Sequence, residues 1–375
     1  MPLHPLTRLT LAGTAGALTA GLLVVPAAAV SPRAHAPDLE FLGEATLAAG
    51  AVFEGTVVGG LSSLTYDQQR DVFYAISDDQ GGTFTPTSTP ARFYTLRIDV
   101  ADGALDGGDV TVVDVTTLRG RDGQPFAARS LDPEGLTLTR DGTLIVTSEG
   151  IAGRGIAPFV REFALSGQQL RELPVPGAFN PSADGTRGVR NNLGFESAAV
   201  APNGQALFVG AENALAQDGP PASVTTGSPT RLLRYQLTSG RIDRQYVYQT
   251  DPVVDPSPIF TVNGLVELLP LNNQFLLAME RSFSVGAGNT IRIYRVALPG
   301  ATNINGVDDL GQADRVRVAE KTLLLDLDEL GLTLDNIEGM TLGPRLPDGR
   351  QSLVLASDNN FTPGQVSQFL LSALD

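Results

Sequence analysis

Eight carboxylates in this 375-residue chain stand at matching places in a recurring pattern: Asp78, Glu134, Glu149, Glu196, Glu212, Glu280, Glu338 and Asp358. If one opening collects them, they cannot all stay ionised; some must take up protons, or a cation must neutralise them. Calcium suits the inventory, because it binds ~6 to 8 oxygens from carboxylates, amides and carbonyls, and magnesium suits it less well. Asn213, Asn263, Asn336, Asn359 and Asn360 lie beside the acids and add such oxygens. The expected metal set is Glu134, Glu196, Glu338, Asp358 and Asp78, with Glu149 or Glu212 as the base that takes a proton from water. Arg129, Arg190 and Arg281 lie within a few positions of these acids and can either pair with them or face a bound anion, with Asn263 and Asn360 completing a substrate-binding set. Acids, a cation and arginines together suit phosphate, where the cation bridges anionic ligand to anionic protein. The competing assignment is structural: each acid accepts hydrogen bonds from backbone amides of the next repeat and ties the repeats together.

Composition removes most other chemistries. The chain has no cysteine, so disulfides, thiolate nucleophiles and thiolate metal sites are excluded. Its two histidines, His4 and His35, both precede the repeats, which excludes a Ser-His-Asp triad and imidazole-held zinc in the folded body. A net charge of −15 argues against nucleic acid or an anionic membrane as partner; the small anionic substrate is expected from the acids, cation and arginines of the mouth. Lys321 is the single lysine and is expected at the surface of an outer strand. Gly59-Gly60 and Gly81-Gly82 lack the lysine and helix of a phosphate loop.

The acids are positioned by hairpins. In residues 130–150, Leu136, Leu138, Leu144 and Val146 alternate around Asp141-Gly142, a two-residue turn signal that places Glu134 opposite Glu149. Related units begin at Ser63, Glu196, Asn263 and Glu338, with leading positions 62 to 75 residues apart. Each hairpin is followed by two more strand-like runs, such as 92–98 with 110–115 and 231–237 with 242–248. Repetition of four-stranded units predicts an all-β fold, a β-propeller of five blades, or six if the N-terminal strands form their own sheet. One early strand, within 39–46 or 52–58, is expected to complete the last sheet and close the ring. In a propeller all innermost strands run the same way, so the marked acids gather at one mouth, within ~10 to 15 Å of each other. The segments leaving that mouth, 80–90, 151–157, 214–229, 282–289 and 361–365, are rich in Gly, Ser, Thr and Pro and form its rim.

Residues 1–29 carry Arg8, then an apolar stretch, then Ala27-Ala28-Ala29, the pattern of a cleaved export signal. Residues 30–38 form an Ala- and Pro-rich linker, and 39–375 form one domain. The expected product is a monomer without a membrane span, in the periplasm or outside the cell.

The set Arg129-Ser130-Leu131-Asp132-Pro133-Glu134-Gly135, Asn192-Leu193-Gly194-Phe195-Glu196, Asn336-Ile337-Glu338-Gly339-Met340 and Ser357-Asp358-Asn359-Asn360-Phe361 resembles the phytase-like family, "esterase-like activity of phytase", over about residues 40 to 372. The resemblance implies an exported β-propeller and phosphomonoester hydrolysis like that of calcium-dependent propeller phytases. It places Glu134, Glu196, Glu338 and Asp358 at the family's marked channel positions. The leading expectation is therefore a calcium-dependent hydrolase of a small phosphate ester. The alternatives are a non-catalytic ligand-binding or scaffold propeller and a metal-dependent carboxyl ester or lactone hydrolase.

Overall fold

A computed structural model describes residues 39–82 and 89–374. The expected export signal (1–29), the linker (30–38) and positions 83–88 of the first rim segment lie outside the described residues.

The chain enters through β1 (Leu39–Leu47) and a small hairpin, β2 (Val52–Phe53) and β3 (Thr56–Val57). Four blades follow in chain order. The first is β4 (Leu61–Asp67), β5 (Val72–Ser77), β6 (Arg92–Ile98) and β7 (Val110–Thr117). The second is β8 (Pro133–Leu138), β9 (Thr143–Ser148), β10 (Phe159–Ala164) and β11 (Gln169–Leu173). The third is β12 (Phe195–Val200), β13 (Ala206–Ala211), β14 (Pro229–Gln236) and β15 (Arg241–Gln249). The fourth is β16 (Thr261–Pro270), β17 (Phe275–Ser284), β18 (Gly288–Ala297) and β19 (Glu320–Asp326). The fifth has only β20 (Asn336–Arg345), β21 (Gln351–Asp358) and β22 (Ser367–Leu374) of its own, and β1 supplies its outer strand.

The protein is thus a five-bladed β-propeller, and the N-terminal hairpin adds no sixth blade. Closure is antiparallel, from Leu39 opposite Leu374 to Leu47 opposite Ser367, with a bulge at Phe41/Gly43. Gly43 has φ +130 and its α-carbon faces the Leu105 carbonyl, where a side chain would collide. The ring needs this latch because an unpaired β22 would expose a sheet edge.

Apolar residues alternate along each strand and fill the gaps between sheets. Five clusters result, one per blade interface; Phe73 with Phe369, Tyr74 with Phe159, Phe195 with Val160, Phe208 with Leu276, and Ile293 with Leu353 typify them. Each such large side chain contributes about 1.5–3 kcal/mol when withdrawn from water. Without disulfides, these interfaces hold the ring. The innermost strands β4, β8, β12, β16 and β20 touch in cyclic order around a central channel.

The hairpin turns differ from expectation in one detail with consequences. Thr139 N donates to Thr143 O, so the β8–β9 turn has three central residues, with Gly142 at φ +73. A three-residue turn with its last residue left-handed shifts the register by one. A second shift occurs at the mouth end, where every inner hairpin carries a β-bulge: at Leu61/Ser63, Pro133/Leu136, Phe195/Ser197, Leu265/Glu267 and Ile337/Gly339.

Candidate functional site

The bulges set the geometry of the mouth. A bulge leaves one residue unpaired and re-aims its side chain, and the residues it leaves are Ser62, Glu134, Glu196, Val266 and Glu338. The facing strand ends one step further on with Asp78, Glu149, Glu212, Arg281 and Asp358, which oppose Gly60, Asp132, Gly194, Gly264 and Asn336. Ten equivalent positions therefore hold seven carboxylates, one arginine, a serine and a valine. In the fourth blade both positions have lost their acid.

This register corrects two sequence assignments. Asn263 is three residues from the bulge; it is buried, and its amide donates to Asp251 O (2.8 Å) and Glu280 Oε2 (3.0 Å). Glu280 faces away from the mouth, into a network with Tyr248 Oη (2.6 Å), Asp251 N (2.8 Å) and the Lys321 ammonium. Lys321 is correspondingly no surface residue: it also pairs with Asp251 at 2.8 Å and lies 4.2 Å from the Tyr294 ring centroid. This cluster ties the third blade to the fourth.

A cavity of about 1350 Å³ opens at the mouth and is lined by Asp78, Glu134, Glu196, Glu212, Glu338 and Asp358, with Arg281 and Asn360 among them. Arg129 and Arg190 do not line it. Arg129 is exposed, and its carbonyl accepts from Arg154 Nη1 at 2.6 Å; Arg190 Nη2 donates to Gly219 O at 2.8 Å and pins a rim loop. Arg281 reaches the acids, with Nη2 2.8 Å from Glu338 Oε1 and 3.7 Å from Glu212 Oε1.

Asp132 is a member of the site that its place in the resembling motif did not single out. It precedes the bulge, faces Glu134 and Glu149, and one carboxylate oxygen from each of the three lies within 4.8 Å of the others. Gln80 Nε2 donates to its Oδ2 at 2.6 Å. Glu149 shares a hydrogen bond with Asp132 and accepts from Gly194 N of the next blade at 3.1 Å. Glu149 thus fits the structural alternative, an acid that latches blade to blade, and it stands behind the cavity wall. Glu134 and Glu196 do not fit it: among the described residues neither side chain has a hydrogen-bond partner, although both are buried. One oxygen of Asp78, Oδ1, is likewise buried without a partner.

Burial drives the electrostatics. It raises the pKa of Glu134, Glu196, Asp78 and Glu149, and neighbouring carboxylates raise each further. Asp132 is pushed up to about 6 by burial, against hydrogen bonds from Glu149 and Gln80. Glu212 reaches about 7, burial again outweighing Arg281, and Asp358 about 8, through burial and then Glu338. Such a set is satisfied by protons or by a hard cation, and its all-oxygen donors, the three-carboxylate cluster and the orphaned Asp78 oxygen fit calcium.

Close approach explains the glycines here. Side chains at Gly194 and Gly264 would run into Glu149 and Glu212 of the preceding blade, and one at Gly60 (φ +63) would strike the Asp78 carboxylate.

Fold and site together define a five-bladed propeller with an anionic funnel at one end of its channel. Residues 56–361 match the Phytase-like family, described as esterase-like activity of phytase, and the chain belongs to that family. An uncharacterized secreted protein of Arthroderma benhamiae is 25% identical over 200 residues, 45% of this chain; the match spans only 38% of that relative's length. Among solved structures, the periplasmic gluconolactonase of Pseudomonas aeruginosa is similar with a TM-score of 0.36 at 15% identity, over 90% of this chain and 96% of that one. A protein of unknown function from Dyadobacter fermentans gives a TM-score of 0.42 at 12% identity, over 91% and 100%.

Proposed function

We propose that the protein hydrolyses a small phosphate monoester at the acidic mouth, with calcium as its bound cation. The observation that carries this is the ring of seven carboxylates against one arginine, in which Glu134, Glu196 and an oxygen of Asp78 have no hydrogen-bond partner among the described residues. Glu134, Glu196, Glu338, Asp358 and Asp78 would hold the cation, and Asp132 joins them through its place beside Glu134. When bound, calcium supplies the positive charge that admits a phosphate to an anionic wall and lowers the pKa of water.

The remaining work falls to the chain's own groups. Arg281 presents a guanidinium to the phosphate oxygens. Glu212, with its pKa pushed up to about 7, is suited to exchange a proton near neutrality. As a water oxygen bonds to phosphorus and the bond from phosphorus to the ester oxygen breaks, Glu212 accepts the water proton and returns it to the departing alkoxide. The products are an alcohol and inorganic phosphate. Glu149 keeps Asp132 and Gly194 in place.

Hydrolysis of a panel of phosphate esters, carboxyl esters and lactones, followed as phosphate release for the first and acid release for the others, with and without chelator, tests this. Turnover of phosphate esters that chelation abolishes and calcium restores is expected, with Glu134→Gln and Glu338→Gln at least tenfold slower. Activity indifferent to chelation and to both substitutions rejects the assignment, and no turnover of any ester favours a binding propeller. Export accords with the leader pattern of residues 1–29 and the secreted relative; among the described residues no helix is long and apolar enough to cross a membrane.

A further inference from the structure

The fourth blade, whose two mouth positions hold Val266 and Arg281 instead of acids, also extends its inner hairpin into a wall beside the mouth. Its β16 and β17 run ten residues each, and their pairing continues past Gly264 opposite Arg281 to Val262 opposite Phe283 and Thr261 opposite Ser284. Side chains two apart on a strand share a face, ~7 Å apart. Phe283 therefore stands directly above Arg281 on the cavity side, and both line the cavity. Phe260, 55% exposed, continues the surface, its ring centroid 6.3 Å from that of Phe283. Two polar atoms on this wall are buried without partners: Arg281 Nε and Oδ1 of Asn289, the residue paired with Phe283. Arg281 is also the one Lys or Arg side chain that lines the cavity among the described residues.

We propose that this wall selects phosphate monoesters with an apolar, preferably aryl, alcohol portion: one phosphate group at Arg281 and the apolar group against Phe283 and Phe260. This rests on the phosphate-ester reading of the same site. A single arginine beside an apolar surface disfavours polyhydroxylated or multiply phosphorylated esters, which would leave their polar groups facing phenylalanine. The orphaned Asn289 oxygen offers one acceptor to a donor on the ligand.

Binding of phenylphosphonate and methylphosphonate, measured by calorimetry in calcium, reads the wall without requiring turnover. Phenylphosphonate should bind about three- to tenfold more tightly, the scale of one aromatic contact. Phe283→Ala and Phe260→Ala should each reduce that preference by at least threefold while methylphosphonate affinity stays within twofold. Phe260 is exposed enough that its variant folds, and thermal melting checks both. Equal affinity for the two phosphonates, binding of neither, or a preference unchanged in both variants overturns the proposal. Absence of ester turnover with the phenyl preference intact would instead sink the hydrolase reading and leave the wall as a binding determinant.

Discussion

Ser63 Oγ donates to Glu267 Oε2 at 2.6 Å, a bond between the first and fourth blades. These blades are not neighbours, so the bond crosses the central channel. Ser63 also lies 3.4 Å from Leu136 O of the second blade, and Glu267 accepts from Leu268 N at 2.9 Å and from Met340 N. A second opening of about 860 Å³, formed by the hairpin-turn ends and including Glu267, lies beyond it. Removing the donor leaves a buried carboxyl short of a partner, so Ser63→Ala should cost about 1–3 kcal/mol in denaturant unfolding. Burial raises the Glu267 pKa, so the isosteric Glu267→Gln should be no less stable than wild type at pH 8. A large loss in Glu267→Gln would show that the ionised form is the one the channel requires.

Asp132, Glu212 and Asp358 have folded-state values of about 6, about 7 and about 8, while unfolded carboxyls titrate near about 4. The folded state therefore holds extra protons between these limits. Stability from the three groups is full below the unfolded value and is lost as pH rises through the folded ones. The chelated protein should melt at steadily lower temperature from about pH 5 to pH 8, and calcium should flatten the curve. A chelated protein with a constant Tm over that range would falsify the idea that these carboxyls are strained when ionised.

Asp78 carries the orphaned oxygen, and its pKa is raised by burial and then by Asp358. Asp78→Asn removes a buried like charge and a cation ligand together, so its effects should have opposite signs. Without calcium the variant should melt about 2–4 °C higher at pH 8. The rise in Tm on adding calcium should shrink. A variant less stable in both conditions would point to a structural role.

Arg281 bonds to Glu338 at 2.8 Å and is the main influence holding down Glu338 and Glu212. Arg281→Leu lets both carboxyl pKa values rise further, so the pH-dependent loss of chelated stability should extend to higher pH. Phosphate-ester kcat/KM should drop by about 10²-fold or more, as for a lost charged contact. Guanidinium added in solution restores part of the rate if the lost group contacts the phosphate.

Deleting residues through Leu47 removes β1 and bares the edge of β22 along its length. Such a chain should lose cooperative unfolding in circular dichroism and aggregate. Gly43→Ala, with a collision at the Leu105 carbonyl and a backbone at φ +130, should lower the Tm measurably while leaving the chain folded.

Alternation along strands and Gly-bearing turns are local, so the sequence by itself determined the four-stranded repeats and the gathering of Glu134, Glu196, Glu212, Glu338, Asp78 and Asp358 at one mouth, while the choice of five blades over six and of Leu39–Leu47 as the closing strand came with the packed ring. Tertiary structure decided the register at that mouth. A bulge inserts a residue without any signature in residue type, which is why Asn263 fell away and Val266 took its place. Inward facing of Arg281 rather than Glu280 follows from the same one-residue step, because neighbours on a strand point to opposite sides. Asp132 beside Glu149, Lys321 under Tyr294 and Glu267 across the channel join residues from separate strands or blades. Contacts of that kind exist only once the ring has closed and the blades are packed.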